Sequence, residues 1–197
     1  LSDINDELAK NGVDSLTSLK PAPLYKPKNA ELVTSCTYDN DIEKIAEVDW
    51  VLEAVVERLD IKEKVYNNLL PHLKDTAILT SNTSGIPLTD LTSSLPDDVK
   101  QRFMITHFFN PPRYMQLLEL VRGEQTSDKT YNTLVEFGES VLGKGIVHAK
   151  DTPNFIGNRI GVYGMMVTLN LAIDQSFTVE EVDKLTGPIS GRPKSAT

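Results

Sequence analysis

Asp49-Trp50-Val51-Leu52-Glu53-Ala54-Val55-Val56 is almost continuously apolar. That is the pattern of a strand covered on both faces of a parallel sheet. After it, Asp60 and Glu63 offer an acidic variant of a capping box. Ile61, Val65, Tyr66, Leu69 and Leu70 then recur at helical spacing, which predicts a helix over 60–70 that Pro71 ends or kinks. Further strands are expected at 76–81, 103–108, 116–121 and 146–149, with a helix capped by Ser127 and closed by Gly143 before the last of them. Strand–helix–strand alternation at this spacing implies a parallel α/β sheet.

Upstream, residues 4–19 have helix-like spacing (Ile4, Leu8, Val13, Leu16, Leu19), and Pro21, Pro23 and Pro27 impose an extended linker. A short strand is expected at 31–35 and a short helix at 41–47. Downstream the character changes. Thr152 is placed to cap and Pro153 to open a helix over 153–176 that is apolar nearly all round, followed by another at 179–185. A helix of that kind needs covering by other helices or another subunit. The expected organisation is one domain over 1–152 and the beginning of an all-helical domain over 153–197.

The chain has 197 residues, 20 Lys+Arg and 28 Asp+Glu, hence a formal charge of −8. The acidic balance argues against a general nucleic-acid or anionic-membrane binder. With 40 % hydrophobic and 24 % charged residues the composition is that of a globular protein. Cys36 is the only cysteine, which excludes an internal disulfide and fits a reducing compartment. No apolar run reaches the length of a membrane span, and no signal peptide is read at the start, so a cytoplasmic protein is expected. The first residue is not Met, and 191–197 form no obvious domain end; the chain reads as a piece of a longer one.

Two strand ends attract attention. His107-Phe108-Phe109-Asn110-Pro111 puts an imidazole at the carboxyl end of a strand, where ligands sit in open α/β sheets. Glu119, in the apolar run Leu117–Val121, is a carboxylate that needs a partner when buried. Set against His107 it would fix the ring's tautomer and make a base able to take a proton. A core histidine satisfied by a backbone carbonyl is the alternative. His72 and His148 have no such company and are read as structural. Thr80-Ser81-Asn82-Thr83-Ser84-Gly85 ends another strand with groups that suit a polar ligand or an ordinary turn. Glu53 looks buried. Glu57 stands where a ribose or nicotinamide group could donate to it, and Lys62 lies five residues on, in the first helical turn; a solvated surface pair is the plainer reading of those two. There is no GxGxxG, no P-loop, no HExxH and no Cys/His cluster, and Asp39-Asn40-Asp41 lacks the spacing of a calcium loop, so no metal site is expected.

Taken together, Leu52–Glu57, Ser81-Asn82-Thr83-Ser84, His107–Pro111, Glu119 and Asp151–Arg159 resemble, in this order, the NAD-dependent L-3-hydroxyacyl-CoA dehydrogenase family of fatty-acid β-oxidation. Ser84–Pro87, Gly187-Pro188 and 191–197 are closer to bacterial and archaeal members, often fused to an enoyl-CoA hydratase. The resemblance implies a Rossmann-like, mostly parallel sheet, NAD as cofactor and an acyl-CoA substrate. It implies that His107 is the base, that Glu119 orients it, and that Ser84 and Asn158 hold the substrate oxygen and thioester. It places Glu57, Lys62, Asn82 and Asn110 at or near the cofactor, and implies a homodimer through the helical domain. The family's first strand, Gly-rich turn and helix have no counterpart here, and NAD affinity is expected to fall sharply without them. An inactive fragment, a non-catalytic module of a larger oxidation protein and a short-chain 3-hydroxybutyryl-CoA dehydrogenase are the competing readings.

Overall fold

Alternating apolar patterns become alternating strands and helices in the computed structural model, which describes residues 1–3, 5–37, 40–187 and 190. β1 (Ser2–Asp3) leads into α1 (Asp6–Ser15), whose first turn is capped by the Asn5 side chain accepting from the Leu8 N–H at 2.8 Å. β2 (Cys36–Thr37) pairs in parallel with β1 as a small separate ribbon. Then come β3 (Trp50–Glu53), α2 (Leu59–Leu69), β4 (Ile78–Ser81), the one-turn helices α3 (Leu88–Leu91) and α4 (Asp97–Lys100), β5 (Phe103–Phe108), β6 (Leu117–Arg122), α5 (Asp128–Ser140) and β7 (Gly145–Ala149). The chain divides into two compact units, Leu1–Phe155 and a second from Ile156 on, which contains α6 (Gly157–Asp174) and α7 (Val179–Thr186).

The main sheet has the order β3-β4-β5-β6-β7. Every pairing is parallel except β5–β6, which is antiparallel. The sheet is thus mostly parallel, as expected, and the cause of the one reversal is the connection: residues 109–116 are too few for a crossover helix, so the chain turns straight back. Both faces of the central strands carry apolar cores, but β3 is not covered on both faces as its apolar run predicts: Leu52 is 41 % exposed at the sheet edge. Phe103 and Ile105 face a core with Tyr66, Leu79, Leu91 and Val121, whereas Met104 faces the opposite core with Leu118, Leu120 and Leu134. Because strand side chains alternate, His107 continues the face of Phe103 and Ile105, and Glu119 shares the face of Val121.

Three local expectations are corrected. The 31–35 stretch is not a strand; Pro27, whose φ suits a first helical turn, starts a 3₁₀ helix over Pro27–Leu32, and the strand is Cys36–Thr37. The acidic capping box of α2 does not form: Arg58 is the N-cap residue without a side-chain cap, and it takes Asp60 in an ion pair at 2.8 Å. As expected, the α-helix ends before Pro71, which sits in a 3₁₀ turn over Leu70–His72. Thr152 and Pro153 do not open α6. Asn154 and Phe155 adopt positive φ of 60° and 47°, a conformation that interrupts a right-handed helix, and α6 starts at Gly157. Ile4, Asp39, Pro188 and the 191–197 segment of the bacterial-type resemblance lie outside the described residues.

Candidate active site

His107 and Glu119 are direct partners in the antiparallel register of β5 and β6. Their side chains meet on one face, with His107 Nδ1 2.7 Å from Glu119 Oε2. The His107 side chain is 4 % exposed and that of Glu119 is 0 % exposed, so water does not compete for the contact. Among the described residues the ring makes no other hydrogen bond, which leaves Nε2 free. Phe109 packs on the ring with centroids 4.5 Å apart, and Phe155 meets it edge-on at 5.5 Å. The left-handed turn at 154–155 is what delivers Phe155. Nothing in its sequence signals that contact, because it joins residues 48 positions apart through backbone torsions that a phenylalanine rarely adopts.

On the neighbouring strand ends lies a second polar group. Glu53, in register with Ser81, is buried. It accepts from the Ser81 hydroxyl (2.7 Å), the Tyr66 hydroxyl (2.8 Å), the Val55 N–H (2.7 Å) and the Lys62 ammonium (2.8 Å). Burial, with the charge of Glu53 beside it, pushes the Tyr66 phenol up from its ordinary value. Lys62 is not the solvated partner that its spacing suggests; its side chain is 1 % exposed. Tyr66 and Ser81 carry no motif that announces this role, although Tyr66 was legible as an inward-facing helix residue.

Glu57 stands at the rim, half-exposed. Its Oε1 accepts from the Thr83 hydroxyl (2.5 Å), the Ser84 N–H (2.9 Å) and the Gly85 N–H (3.1 Å), while Oε2 lies 3.3 Å from Lys62 Nζ. Burial alone would raise this carboxyl, but the bonds from Thr83 and Ser84 and the Lys62 charge outweigh it and hold the group below the usual carboxylate value. The Ser84 residue itself is exposed. Asn82 accepts the Phe108 N–H through Oδ1 at 2.8 Å, tying the ends of β4 and β5 together. Asn110 is exposed just past β5 and lines a groove of about 380 Å³ with Lys20, Pro21, Arg113 and Tyr114. Asn158 lies in the first turn of α6, in the second unit. Of the eight expected residues, the first unit therefore brings His107 and Glu119 into one pair and Glu57, Lys62 and the Ser84 backbone into one network. His72 is exposed, and His148 takes the Tyr131 hydroxyl as its partner. Among the described residues no group of three or more His, Cys, Asp or Glu is placed to hold a metal, and no helix is long and apolar enough to cross a membrane.

The model of the family described as 3-hydroxyacyl-CoA dehydrogenase, NAD binding domain, matches residues 1–152. A probable 3-hydroxyacyl-CoA dehydrogenase of Bacillus subtilis is 45 % identical over 196 residues, which are 100 % of this chain and 25 % of that protein. A relative from Rickettsia felis, named as a trifunctional enzyme of a fatty acid oxidation complex, is 40 % identical over 194 residues, 98 % of this chain and 27 % of its own length. The chain thus spans about a quarter of each of these two relatives. Among solved structures, the (S)-3-hydroxybutyryl-CoA dehydrogenase of Ralstonia eutropha superposes with a TM-score of 0.80 at 29 % identity, covering 98 % of this chain and 69 % of that one. A buried His–Glu pair at the carboxyl edge of a Rossmann-type sheet, together with a family match across three quarters of its length, makes this chain a member of the NAD-binding-domain family of the 3-hydroxyacyl-CoA dehydrogenases.

Proposed function

We propose that the intact protein oxidises the 3-hydroxyl of L-3-hydroxyacyl-CoA thioesters to the ketone, with NAD as acceptor, in fatty-acid β-oxidation. The observation that carries this reading is the 2.7 Å contact between His107 Nδ1 and Glu119 Oε2, with Nε2 left free. Oxidation of a secondary alcohol removes the hydroxyl proton as hydride leaves the same carbon, and an imidazole suits the proton. Nε2 of His107 takes that proton, and Glu119 on the far nitrogen stabilises the imidazolium as it forms. Phe109 and Phe155 restrict the ring's rotation and keep Nε2 aimed outward. Ser84 and Asn158 hold the substrate oxygen and the thioester, an orientation effect.

The residues present fit the reacting end of the cofactor. Asn82 spends its Oδ1 on Phe108, and among the described residues its amide nitrogen makes no hydrogen bond, so a donor remains at the strand ends. Glu57 and Asn110 supply the neighbouring acceptor and amide. No GxGxxG is present in these residues for the pyrophosphate. When bound, NAD supplies the hydride acceptor. We further infer a cytoplasmic homodimer joined through the helical unit, which the exposed Ile160, Tyr163, Met165 and Leu169 of α6 support. A fused enoyl-CoA hydratase domain is inferred from the trifunctional relative.

Assay of the intact protein with NAD and the L- and D-isomers of 3-hydroxyacyl-CoA thioesters, short and long, tests the reading. NADH formation from the L-isomers alone is the expected result. No turnover with any of them, or a preference for the D-series, overturns it. The chain-length profile separates a long-chain enzyme from a 3-hydroxybutyryl-CoA one.

A further inference from the structure

α3 is a single turn, too short to hold itself, and its first N–H groups need acceptors from outside. Pro87 precedes it and gives no side-chain cap. The acceptor comes from far along the chain. Asp151 Oδ1 takes the Leu88 N–H at 2.9 Å, and Oδ2 takes the Thr89 N–H at 3.2 Å. Both carboxylate oxygens are used, and the segment leaving β7 is fastened to α3. The corner is packed as well as bonded. Leu88 and Phe155 are buried in one apolar cluster with Val121 and Ala149. Leu88 also lies against Gly123 just past β6, where a Cβ would come within 2.6 Å of the Leu88 Cδ2.

Directly after Asp151 the chain makes the turn that carries Phe155, closed by the Phe155 N–H donating to the Thr152 carbonyl at 3.0 Å. Asn154 and Phe155 hold φ of 60° and 47° there, a costly conformation for residues with a Cβ, so contacts outside the turn must hold it. We propose that Asp151 is a positioning residue for the base: its carboxylate pins the start of this turn to α3, the turn stays left-handed, and Phe155 keeps its edge against the His107 ring. Asp151 acts on proton transfer through Phe155, and this rests on the reading of His107 as the base. It explains two features together. One is a carboxylate spent wholly on backbone N–H groups 62 and 63 positions away. The other is a phenylalanine in a left-handed conformation, 2 % exposed, whose ring centroid lies 5.5 Å from that of His107. Without Asp151 the turn relaxes toward right-handed torsions, and Phe155 moves off the imidazole.

Asp151→Ala in the intact protein tests this, with Phe155→Leu and the double variant beside it. The first readout is hydrogen–deuterium exchange at His107 Cε1–H in the ligand-free protein. It is followed over pH by mass spectrometry, so that exposure of the ring and its titration separate, and His148 in the same protein is the reference. Exchange at His107 accelerates by about fivefold in Asp151→Ala while His148 stays unchanged. kcat for acetoacetyl-CoA falls by about tenfold, and the NADH dissociation constant moves less than about twofold. In the Phe155→Leu background the Asp151 substitution adds less than about twofold to either effect, because its influence already ran through Phe155. Unchanged His107 exchange in a folded Asp151→Ala protein overturns the proposal. So does equal acceleration at both histidines, which means general loosening, and so does a fully multiplicative double variant. Where Asp151→Ala fails to fold, Asp151→Asn serves. Its carbonyl oxygen keeps one of the two acceptors, His107 exchange is required to rise by about twofold, and a wild-type rate overturns the proposal. Exchange is read without turnover, so the two readings fail separately. Turnover retained in His107→Gln sinks the base assignment, whereas turnover lost there with His107 exchange unchanged in the Asp151 variants sinks the Asp151 coupling alone.

Discussion

Two buried charge constellations lie on the same face of the sheet, one at the ends of β3 and β4 and one across β5 and β6. Around Glu53 every carboxylate direction is filled: an ammonium, two hydroxyls and a backbone N–H converge on it. Around His107 only one ring nitrogen is spoken for, and the other is free among the described residues. Burial is nearly equal, with Glu53 and His107 each 3 % exposed. Burial therefore does not separate architecture from chemistry here; saturation does. A saturated cluster locks the backbone that carries the loop 82–86. A pair with one valence left open can exchange a proton with whatever is brought to it.

The contrast is open to breaking at several points. His107→Gln removes the open valence and is expected to lower kcat by about 10²–10⁴-fold while leaving acetoacetyl-CoA binding largely intact; near-normal NADH oxidation would dissolve the distinction. Glu53→Gln leaves Lys62 with a carboxamide in place of its principal counter-charge and sets an N–H₂ against other donors. A loss of about 3–5 kcal/mol in denaturant unfolding is expected, and a stability within about 1 kcal/mol of wild type would mean that the cluster is not saturated in solution. Tyr66→Phe takes away one of four donors to Glu53 and keeps the ring, which packs edge-on against Phe103 at 5.6 Å. About 1–2 kcal/mol is expected there, less than for the charge change, because three donors remain.

The smallest effect concerns acid. The Glu57 carboxyl is held below its ordinary value, so the folded state binds its proton less readily than the unfolded state does. Its contribution is full above the unfolded carboxylate pKa of about 4.3 and is lost as the pH falls through the lower folded value. Unfolding followed across that range should show wild type and Glu57→Gln converging toward low pH and separating toward neutral pH. Curves that stay parallel would place Glu57 outside the network that distinguishes the two constellations.

Part of this was legible in one dimension. The continuous apolar run around Val51 marks a strand, though not the exposure of Leu52 on one of its faces, and His107 is assignable to a strand end because Phe103–Ile105 is apolar just before it and Asn110-Pro111 follows. The plainer reading of Lys62, half of a solvated pair, fails because its side chain is buried. Spacing of five residues from Glu57 says nothing about depth, and the groups that bury it, Glu53 and the Val55 carbonyl, come from the preceding strand and loop. The spacing puts Phe155 in a helix that does not start until Gly157, since helical propensity is local whereas the left-handed turn there answers to the core it fills.

What the order of residues determined by itself is periodic: which segments pair as strands, which coil as helices, and which two side chains are polar where their neighbours are not. What only tertiary structure decided is direction and saturation. The short return after β5 reverses β6, and that reversal puts Glu119 opposite His107. The folding of α2 over β3 and β4 closes four donors around Glu53. Both outcomes depend on distances between segments, and hydrogen-bond geometry is exacting at a scale of tenths of an ångström that no periodicity encodes.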